Sequence, residues 1–144
     1  MTKTMVITGA GVGLGRALAK RFAQDGDQVV LLGRTKSKLD AVVDSIGDRA
    51  TALACDVSSA DSVRETFAAI KSQFGKVDVL INNVGAILKL VNFFELTDQD
   101  WEDSFQINLM SAVRLTRLCI TSLKQSTCAR IINISSIAAA SPQE

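Results

Sequence analysis

The sequence of 144 residues contains no histidine and no tyrosine. Histidine-based catalytic triads and histidine metal sites are therefore excluded, and any acid or base must come from Asp, Glu, Lys, Cys or a hydroxyl group. The three cysteines, Cys55, Cys119 and Cys128, have no C-x-x-C spacing, so neither a disulfide framework nor a structural zinc site is predicted. We expect them to be reduced and mostly structural, and we predict no metal site.

Long apolar runs and concentrations of charge are also missing. No apolar run reaches the roughly 18 residues of a membrane span, and the start of the sequence enters a strand-like segment without a charged and then apolar leader. The 16 Lys and Arg residues and 15 Asp and Glu residues are scattered and leave a formal net charge of +1. This is not the electrostatic pattern of a protein that binds nucleic acid or an acidic membrane. We therefore expect a cytoplasmic protein with neither partner.

What the sequence does contain is a glycine cluster directly after a short apolar segment. Residues 4–15 read TMVITGAGVGLG, and Leu14, Leu18 and Phe22 then recur at helical spacing. A glycine turn between a first strand and a first helix is typical of dinucleotide sites, because the unpaired N–H groups at the helix start face the phosphates. Gly9 is expected to take the tight turn. The alternative is an ordinary strand-to-helix turn in an unrelated α/β protein.

The rest of the sequence alternates between strand and helix patterns. Apolar runs of strand length lie at residues 28–32, 50–54, 76–81 and 130–134. The segments between them show helical periodicity, with capping signals at residues 58–61 and 97–100 and helix ends at Gly47 and Gly75. The last helix is predicted to run from about Asp98 to Lys124, with Trp101, Phe105, Leu109 and Val113 along it. Five strands alternating with four helices predict one α/β domain over residues 1–144, with a doubly wound parallel sheet in the order 3-2-1-4-5.

In such sheets ligands bind outside the carboxyl ends of the strands, where the winding reverses. An acid after strand two would bind the adenosine ribose of NAD, but this sequence has Gly33-Arg34 there. Because a guanidinium group can bind a phosphate, Arg34 favours the 2′-phosphate of NADP and makes NAD less favoured, with Lys36 or Lys38 as assistants. A solvated basic helix start is the alternative interpretation.

Polar side chains follow the other strands as well. Asp56 and Val57 follow strand three and could contact adenine or form a helix-entry turn, and Asn82–Gly85 could line the crevice or serve as a structural turn. A hydroxyl of Ser135 or Ser136 could hydrogen-bond a substrate carbonyl, but a serine hydrolase is excluded because histidine is absent. Asn108 is a poor helix former that could hold a water, distort the helix or face solvent.

Together these motifs occur in the order found in the short-chain dehydrogenase/reductase family, which the sequence resembles over all 144 residues. The motifs are T-G-x-x-x-G-x-G from Thr8, Asp56-Val57, Asn82–Gly85, Asn108 and Ile134-Ser135-Ser136. The resemblance implies a Rossmann-like NAD(P)-binding domain. It also implies hydride transfer between the nicotinamide and a carbonyl or alcohol substrate.

The resemblance assigns roles to individual residues. Residues 9 to 12 and Leu14 would line the pyrophosphate and ribose, Asp56 and Val57 would hold adenine, and Arg34 would select NADP. Asn108 would support a proton-relay water, and Ser136 would orient the substrate carbonyl. The full predicted cofactor set is Gly9, Ala10, Gly11, Val12, Gly13, Leu14, Gly15, Arg34, Asp56, Val57, Asn83 and Gly85.

The sequence departs from the family pattern at two places. Val84 replaces the alanine of N-N-A-G, a change expected to repack the loop, and the catalytic tyrosine and lysine of Y-x-x-x-K are absent from a sequence that ends at Glu144. We therefore expect residues 137–144 to be a loop that leads into missing strands and helices, and strand five to expose an apolar edge. We also expect the chain alone to be nearly inactive. The alternatives are a truncated nucleotide-binding module or pseudoenzyme, and an inert fragment without cofactor affinity.

Two further segments suggest partners. The apolar connection Ala86–Leu96 could form the wall of a site for a hydrophobic substrate, or could simply pack against the protein. The helix from about Asp98 to Lys124 resembles one that family members use for dimer contacts, with Val113, Leu115 and Leu118 as contact residues. A homo-oligomer is therefore expected.

Overall fold

The strands of the computed structural model, which describes residues 2–141, form one parallel sheet. Five strands are present within these residues, and their order is β3-β2-β1-β4-β5, which confirms the predicted topology. The strands are β1 Thr4–Thr8, β2 Gln28–Gly33, β3 Ala50–Ala54, β4 Val79–Asn82 and β5 Arg130–Asn133. The fourth strand begins three residues later than predicted and includes Asn82, which brings the polar end of β4 into register with Asn133 of β5.

The helices lie between the strands, and their ends match several of the predicted signals. Ser59 caps the third helix by accepting a hydrogen bond from Ser62 N, and Thr97 forms a capping box with Asp100. Gly47 and Gly75 follow the second and third helices directly. The helices are α1 Gly13–Gln24, α2 Lys36–Ile46, α3 Ala60–Phe74, α4 Asp98–Phe105 and α5 Ser111–Leu123, with short 3₁₀ turns at Phe93–Glu95 and Ile137–Ala139.

The sheet has a hydrophobic core on each face. Successive residues of β1 alternate between them, so that Ile7 packs with α1 and α2 while Val6 packs with α3 and α5. Both sides of β1 are buried, which explains why the central strands read as continuous apolar runs. Cys119 belongs to the core beside α5, where burial raises the pKa of its thiol to about 12. Cys119 is therefore an unreactive packing residue, as the sequence predicted.

The prediction of one continuous helix from about Asp98 to Lys124 is wrong. A five-residue π-helical turn, Gln106–Met110, separates α4 from α5. The buried positions are Ile107, Ser111, Leu115, Cys119 and Leu123, whereas the predicted stripe of Trp101, Phe105 and Leu109 is about half exposed. A π turn adds a residue to one helical turn and so rotates the faces before and after it relative to each other. Leu115, one of the three predicted contact residues, belongs to the chain's own core and is not available for such a contact. Association of copies through the rest of this segment stays a prediction.

The first helix also buries a different face from the one its large residues indicated. Leu14 is 52% exposed, while Gly15, Ala19 and Ala23 are buried against the sheet. Small residues occupy this face because the helix axis lies close to β1. Leu18 and Phe22 contact the core only at its margin.

Strand β5 lies at the edge of the sheet, and all four of its residues are exposed. Ile131 and Ile132 are each 39% exposed, which agrees with the expected apolar edge. Of the loop expected at residues 137–144, Ile137–Ala139 form a 3₁₀ turn, and Pro142, Gln143 and Glu144 lie outside the described residues. In the described part of the chain, no helix combines the length and apolar character needed to cross a bilayer.

Candidate functional site

The glycine turn lies at the carboxyl end of β1 and brings α1 against the strand. Gly9 has φ +64°, which confirms the predicted tight turn, and Ala10 N donates a hydrogen bond of 3.2 Å to Leu32 O at the end of β2. A Cβ atom on Gly15 would collide with Gly9 O and lie 2.7 Å from Asn83 Nδ2. Only glycine therefore allows the start of α1 to approach the turn this closely.

Thr8 joins the ends of β1 and β4, where the winding of the sheet reverses. Its Oγ1 accepts hydrogen bonds from Asn83 N at 2.9 Å and Val84 N at 3.0 Å, and donates to Ile81 O at 3.4 Å. Asn83 Nδ2 donates in return to Thr8 O at 3.0 Å. From the sequence, Thr8 was expected only to begin the glycine motif. A buried hydroxyl directly before the first glycine was the signal for this bracing role.

A groove of about 410 Å³ runs across the carboxyl ends of β1, β2 and β3. Ten of the twelve predicted cofactor residues line it, and the two exceptions are Ala10 and Gly15. Ala10 is fully buried beneath the turn, and Gly15 is buried between α1 and the strand. The ten are Gly9, Gly11, Val12, Gly13, Leu14, Arg34, Asp56, Val57, Asn83 and Gly85.

The charged groups of the groove lie after β2 and β3. Arg34 and Lys38 line it, whereas Lys36 pairs with Asp40 on the exposed side of α2. Asp56 Oδ1 accepts hydrogen bonds from Ser58 Oγ at 2.7 Å and Ser58 N at 3.0 Å. The bond from the Ser58 hydroxyl, followed by its backbone N–H and the charge of Arg34, outweighs partial burial and lowers the pKa of Asp56. The groove therefore presents two cations and an ionised carboxylate.

The groove fits a dinucleotide. The first turn of α1 carries no acidic side chain in residues 13–16, and Val12 before it makes no side-chain cap, so the N–H groups of the helix start are free to bind a phosphate. A Cβ on Gly9 would lie 3.3 Å from Val84 Cγ2, and one on Gly11 would lie 3.1 Å from Lys38 Cβ. Side chains at these glycines would crowd the groove that the pyrophosphate requires.

A second cavity, of about 710 Å³, lies between the loop after β4 and the end of β5. Asn108, Ser135 and Ser136 line it together, as the predicted catalytic pair requires. Residues 83–86 line both this cavity and the dinucleotide groove, so the two spaces are neighbours separated by one stretch of backbone. Val84, the departure from the family motif, also packs on the core beside α3 and α5.

Asn108 lies in the π-helical turn and holds the loop after β4. Its Oδ1 accepts from Ala86 N at 2.8 Å, and its Nδ2 donates to Ala86 O at 2.9 Å and to Ser104 Oγ at 3.2 Å. The helix is distorted at this residue, which was one of the three alternatives drawn from the sequence. The amide group positions the wall between the two cavities.

Ser136 and the paired asparagines complete the carboxyl edge. Ser136 Oγ accepts from Ala138 N at 3.2 Å and leaves its O–H available to another acceptor. Of the two predicted crevice amides, Asn83 lines both cavities, but Asn82 is only 7% exposed and donates through Nδ2 to Asn133 Oδ1 at 2.8 Å. Asn83, the residue after β4, instead donates through Nδ2 to Thr8 O, so the two amides have different partners.

The chain matches a known family model and several curated proteins. The model described as short chain dehydrogenase matches residues 3–144. A 3beta-hydroxysteroid dehydrogenase of Mediterraneibacter gnavus is 38% identical over 139 residues, which cover 94% of this chain and 50% of that protein. An NADP-dependent 3-hydroxy acid dehydrogenase of Salmonella typhi is 30% identical over 138 residues, 96% of this chain and 56% of that protein. The chain spans about half the length of these relatives.

Solved structures of similar proteins share the fold. A 3-ketoacyl-(acyl-carrier-protein) reductase from Brucella melitensis, complexed with NADH, superposes with a TM-score of 0.90 at 36% identity, covering 98% of this chain and 60% of that one. A short-chain dehydrogenase from Streptomyces avermitilis superposes with a TM-score of 0.89 at 32% identity, covering 95% of this chain and 50% of that one. The names of these proteins include both NADP and NADH, so they do not share one stated cofactor.

Proposed function

The chain belongs to the short-chain dehydrogenase family, and from this premise we propose that it is the cofactor-binding part of an NADP-dependent oxidoreductase that interconverts a carbonyl and an alcohol. The observation that carries the proposal is the groove at the carboxyl edge, where the glycine turn faces Arg34 and Lys38. The glycine turn supports dinucleotide binding. The two cations support the choice of NADP.

The choice of NADP rests on the chemistry of the residues after β2. Residues 33–38 read GRTKSK and contain no acid to accept hydrogen bonds from a ribose diol. The planar guanidinium of Arg34 can instead bind the 2′-phosphate through paired hydrogen bonds. A hydrogen bond to a charged group contributes about 1.5–3 kcal/mol, which is roughly a ten- to hundredfold preference.

The chain's own residues would bind and orient the reactants. When bound, NADP(H) supplies or accepts the hydride. The start of α1 would hold the pyrophosphate, and the ionised Asp56 would accept a hydrogen bond at the adenine end. Asn108 keeps residues 83–86 in place between the two cavities, and the Ser136 hydroxyl would donate to the substrate oxygen. The family's usual proton donor is a tyrosine, which the 144 residues lack.

Calorimetric titration of the chain with NADPH and NADH tests this proposal. Arg34→Ala is expected to weaken NADPH binding by about ten- to hundredfold, because the phosphate loses its charged partner. NADH binding should change by less than about threefold, since NADH has no 2′-phosphate. The matched control is Lys36→Ala, which removes a nearby cation outside the groove. Equal losses for both cofactors would contradict NADP selection.

The second candidate is a nucleotide-binding module without catalysis, which the dinucleotide groove supports equally because binding does not require the family's proton donor. Both candidates predict NADPH binding, and we expect the 144-residue chain to show no steady loss of nicotinamide absorbance when carbonyl compounds are added. Sequencing the reading frame beyond Glu144 separates them. A downstream Y-x-x-x-K supports the oxidoreductase, whereas a stop codon there supports the binding module.

A further inference from the structure

The loop between β4 and α4 exposes a group of large apolar side chains beside the second cavity. Ile87, Leu90, Phe93 and Phe94 are 66–91% exposed, and Leu88 is 51% exposed. The sequence of this loop is compatible both with packing against the protein and with forming the wall of a substrate site. Its side chains do not pack into either core of the described residues. Exposed apolar surface of this kind marks binding sites more often than ordinary surface.

The cavity side of this loop is apolar and supported by aromatic rings. Ile87, Leu88 and Leu96 line the cavity together with Trp101 of α4. The ring of Trp101 meets Phe93 edge to face at 6.2 Å, and Phe93 meets Phe94 in the same manner at 5.6 Å. Edge-to-face contacts of this kind stabilise aromatic pairs beyond their burial. Trp101 is therefore an apolar wall residue of the cavity that Phe93 and Phe94 support from outside it.

The ionisable side chains that line the cavity, within residues 2–141, neutralise each other. Lys89 Nζ lies 2.9 Å from Asp100 Oδ2 and 3.3 Å from Glu95 O. The hydrogen bond from Thr97 N, followed by bonds from Lys89 and the Thr97 hydroxyl, lowers the pKa of Asp100 to about 2. Asp100 is therefore ionised at neutral pH and compensates the charge of Lys89. An incoming carboxylate meets no unpaired cation among the described lining residues that would offset its lost hydration.

We propose that the cavity takes a neutral carbonyl or alcohol compound with an apolar body, and that it discriminates against compounds carrying a carboxylate. The inference rests on the proposed function, because it names the substrate class of the same site. The apolar body lies against Ile87, Leu88 and Trp101, and the oxygen faces Ser136.

Trp101 makes this proposal measurable without turnover, because it is the one tryptophan of the sequence. The probes are ethyl 4-oxocyclohexanecarboxylate and its free acid, which share a ring and a ketone and differ in charge. We expect the ester to change Trp101 fluorescence and to bind about tenfold or more tightly than the acid, because the acid pays for desolvation of its carboxylate. No response to the ester, or tighter binding of the acid, would overturn the proposal.

A matched pair of leucine variants tests the wall. Leu88→Ser replaces an exposed residue that lines the cavity, and Leu90→Ser replaces an exposed residue of the same loop that does not. Leu88→Ser is expected to weaken ester binding about three- to tenfold through lost apolar contact, and Leu90→Ser less than about twofold. Equal effects of the two variants would overturn the assignment of this wall.

The charge balance between Lys89 and Asp100 can be tested separately. Asp100→Asn keeps an acceptor for Thr97 but leaves Lys89 uncompensated, so the preference for the ester over the acid should shrink by about fivefold or more. An unchanged preference would overturn the charge argument. A parallel NADPH titration separates the two proposals. Failure of the wild-type chain to bind NADPH rejects the proposed function. If Leu88→Ser and Leu90→Ser both bind NADPH but have the same affinity for the ester, the substrate class alone is rejected.

Discussion

Polar side chains lie at both ends of the parallel strands, which we call the amino edge and the carboxyl edge of the sheet, but they have different roles at the two ends. At the amino edge, Asp78 is 1% exposed and accepts hydrogen bonds from Thr4 N at 2.9 Å, Ser126 Oγ at 2.6 Å and Lys76 Nζ at 3.1 Å. At the carboxyl edge, Arg34 is exposed to the groove. A polar group whose partners all belong to the chain stabilises the fold, whereas one facing a cavity can bind a ligand.

The largest expected effect concerns the amino edge. Asp78→Ala should lower the free energy of unfolding by about 3 kcal/mol, because Thr4 N and the Ser126 hydroxyl lose a buried charged acceptor. Urea denaturation measures this change. Arg34→Ala, at the opposite edge, should leave the urea midpoint nearly unchanged while weakening NADPH. Loss of stability in both variants would break the distinction between the edges.

The next effect concerns the glycine turn, where one substitution is expected to change both the stability of the chain and its binding of NADPH. Gly15→Ala is expected to cost about 2 kcal/mol, because its methyl group collides with Gly9 O and forces α1 away from β1. Gly13→Ala is the control, since a Cβ there meets nothing within 4 Å and the cost, about 1 kcal/mol, comes only from φ +53°. Thermal unfolding and NADPH titration of both variants check the order. Equal costs would contradict the close approach.

A smaller effect is expected at the Thr8 brace. Thr8→Val keeps the shape of the side chain but removes the acceptor for Asn83 N and Val84 N, which should cost about 1–2 kcal/mol. Faster hydrogen exchange is expected at these two amides in particular. Thr4→Val, at the other end of the same strand, is the control. Unchanged exchange at residues 83 and 84 would argue against the brace.

The smallest effect is a pH dependence at the amino edge. Burial alone would raise the pKa of Asp78, but hydrogen bonds from Ser126, Thr4 and Lys76 outweigh it and hold the pKa below its ordinary value. As the pH falls, the carboxyl group of Asp78 therefore takes up its proton at a higher pH in the unfolded state than in the folded state. The stability that Asp78 contributes is present above about pH 3.9 and is lost as the pH falls through the lower folded pKa. Urea melts of wild type and Asp78→Asn should converge below that pH. A constant difference would contradict the lowered pKa.

Much of the fold and part of the site were predictable because their causes are local. The capping signals at Ser59 and Thr97, and the turn at Gly9, each depend on a few neighbouring residues, and all three were confirmed. The π turn was not predicted because apolar spacing indicates that a helix is present but does not show which face of the helix packs against the core. Trp101, for example, has helical spacing but lines a cavity.

The sequence by itself determined the alternation of strands and helices and the position of the dinucleotide turn. These follow from hydrophobic periodicity and the backbone freedom of glycine, both of which act over short stretches. Only the tertiary structure decided that Asn108 hydrogen-bonds Ala86, 22 residues away, that Asn82 bonds to Asn133 while Asn83 bonds to Thr8, and that Lys89 is neutralised by Asp100. These contacts join segments distant in sequence, so their geometry exists only once the chain has folded.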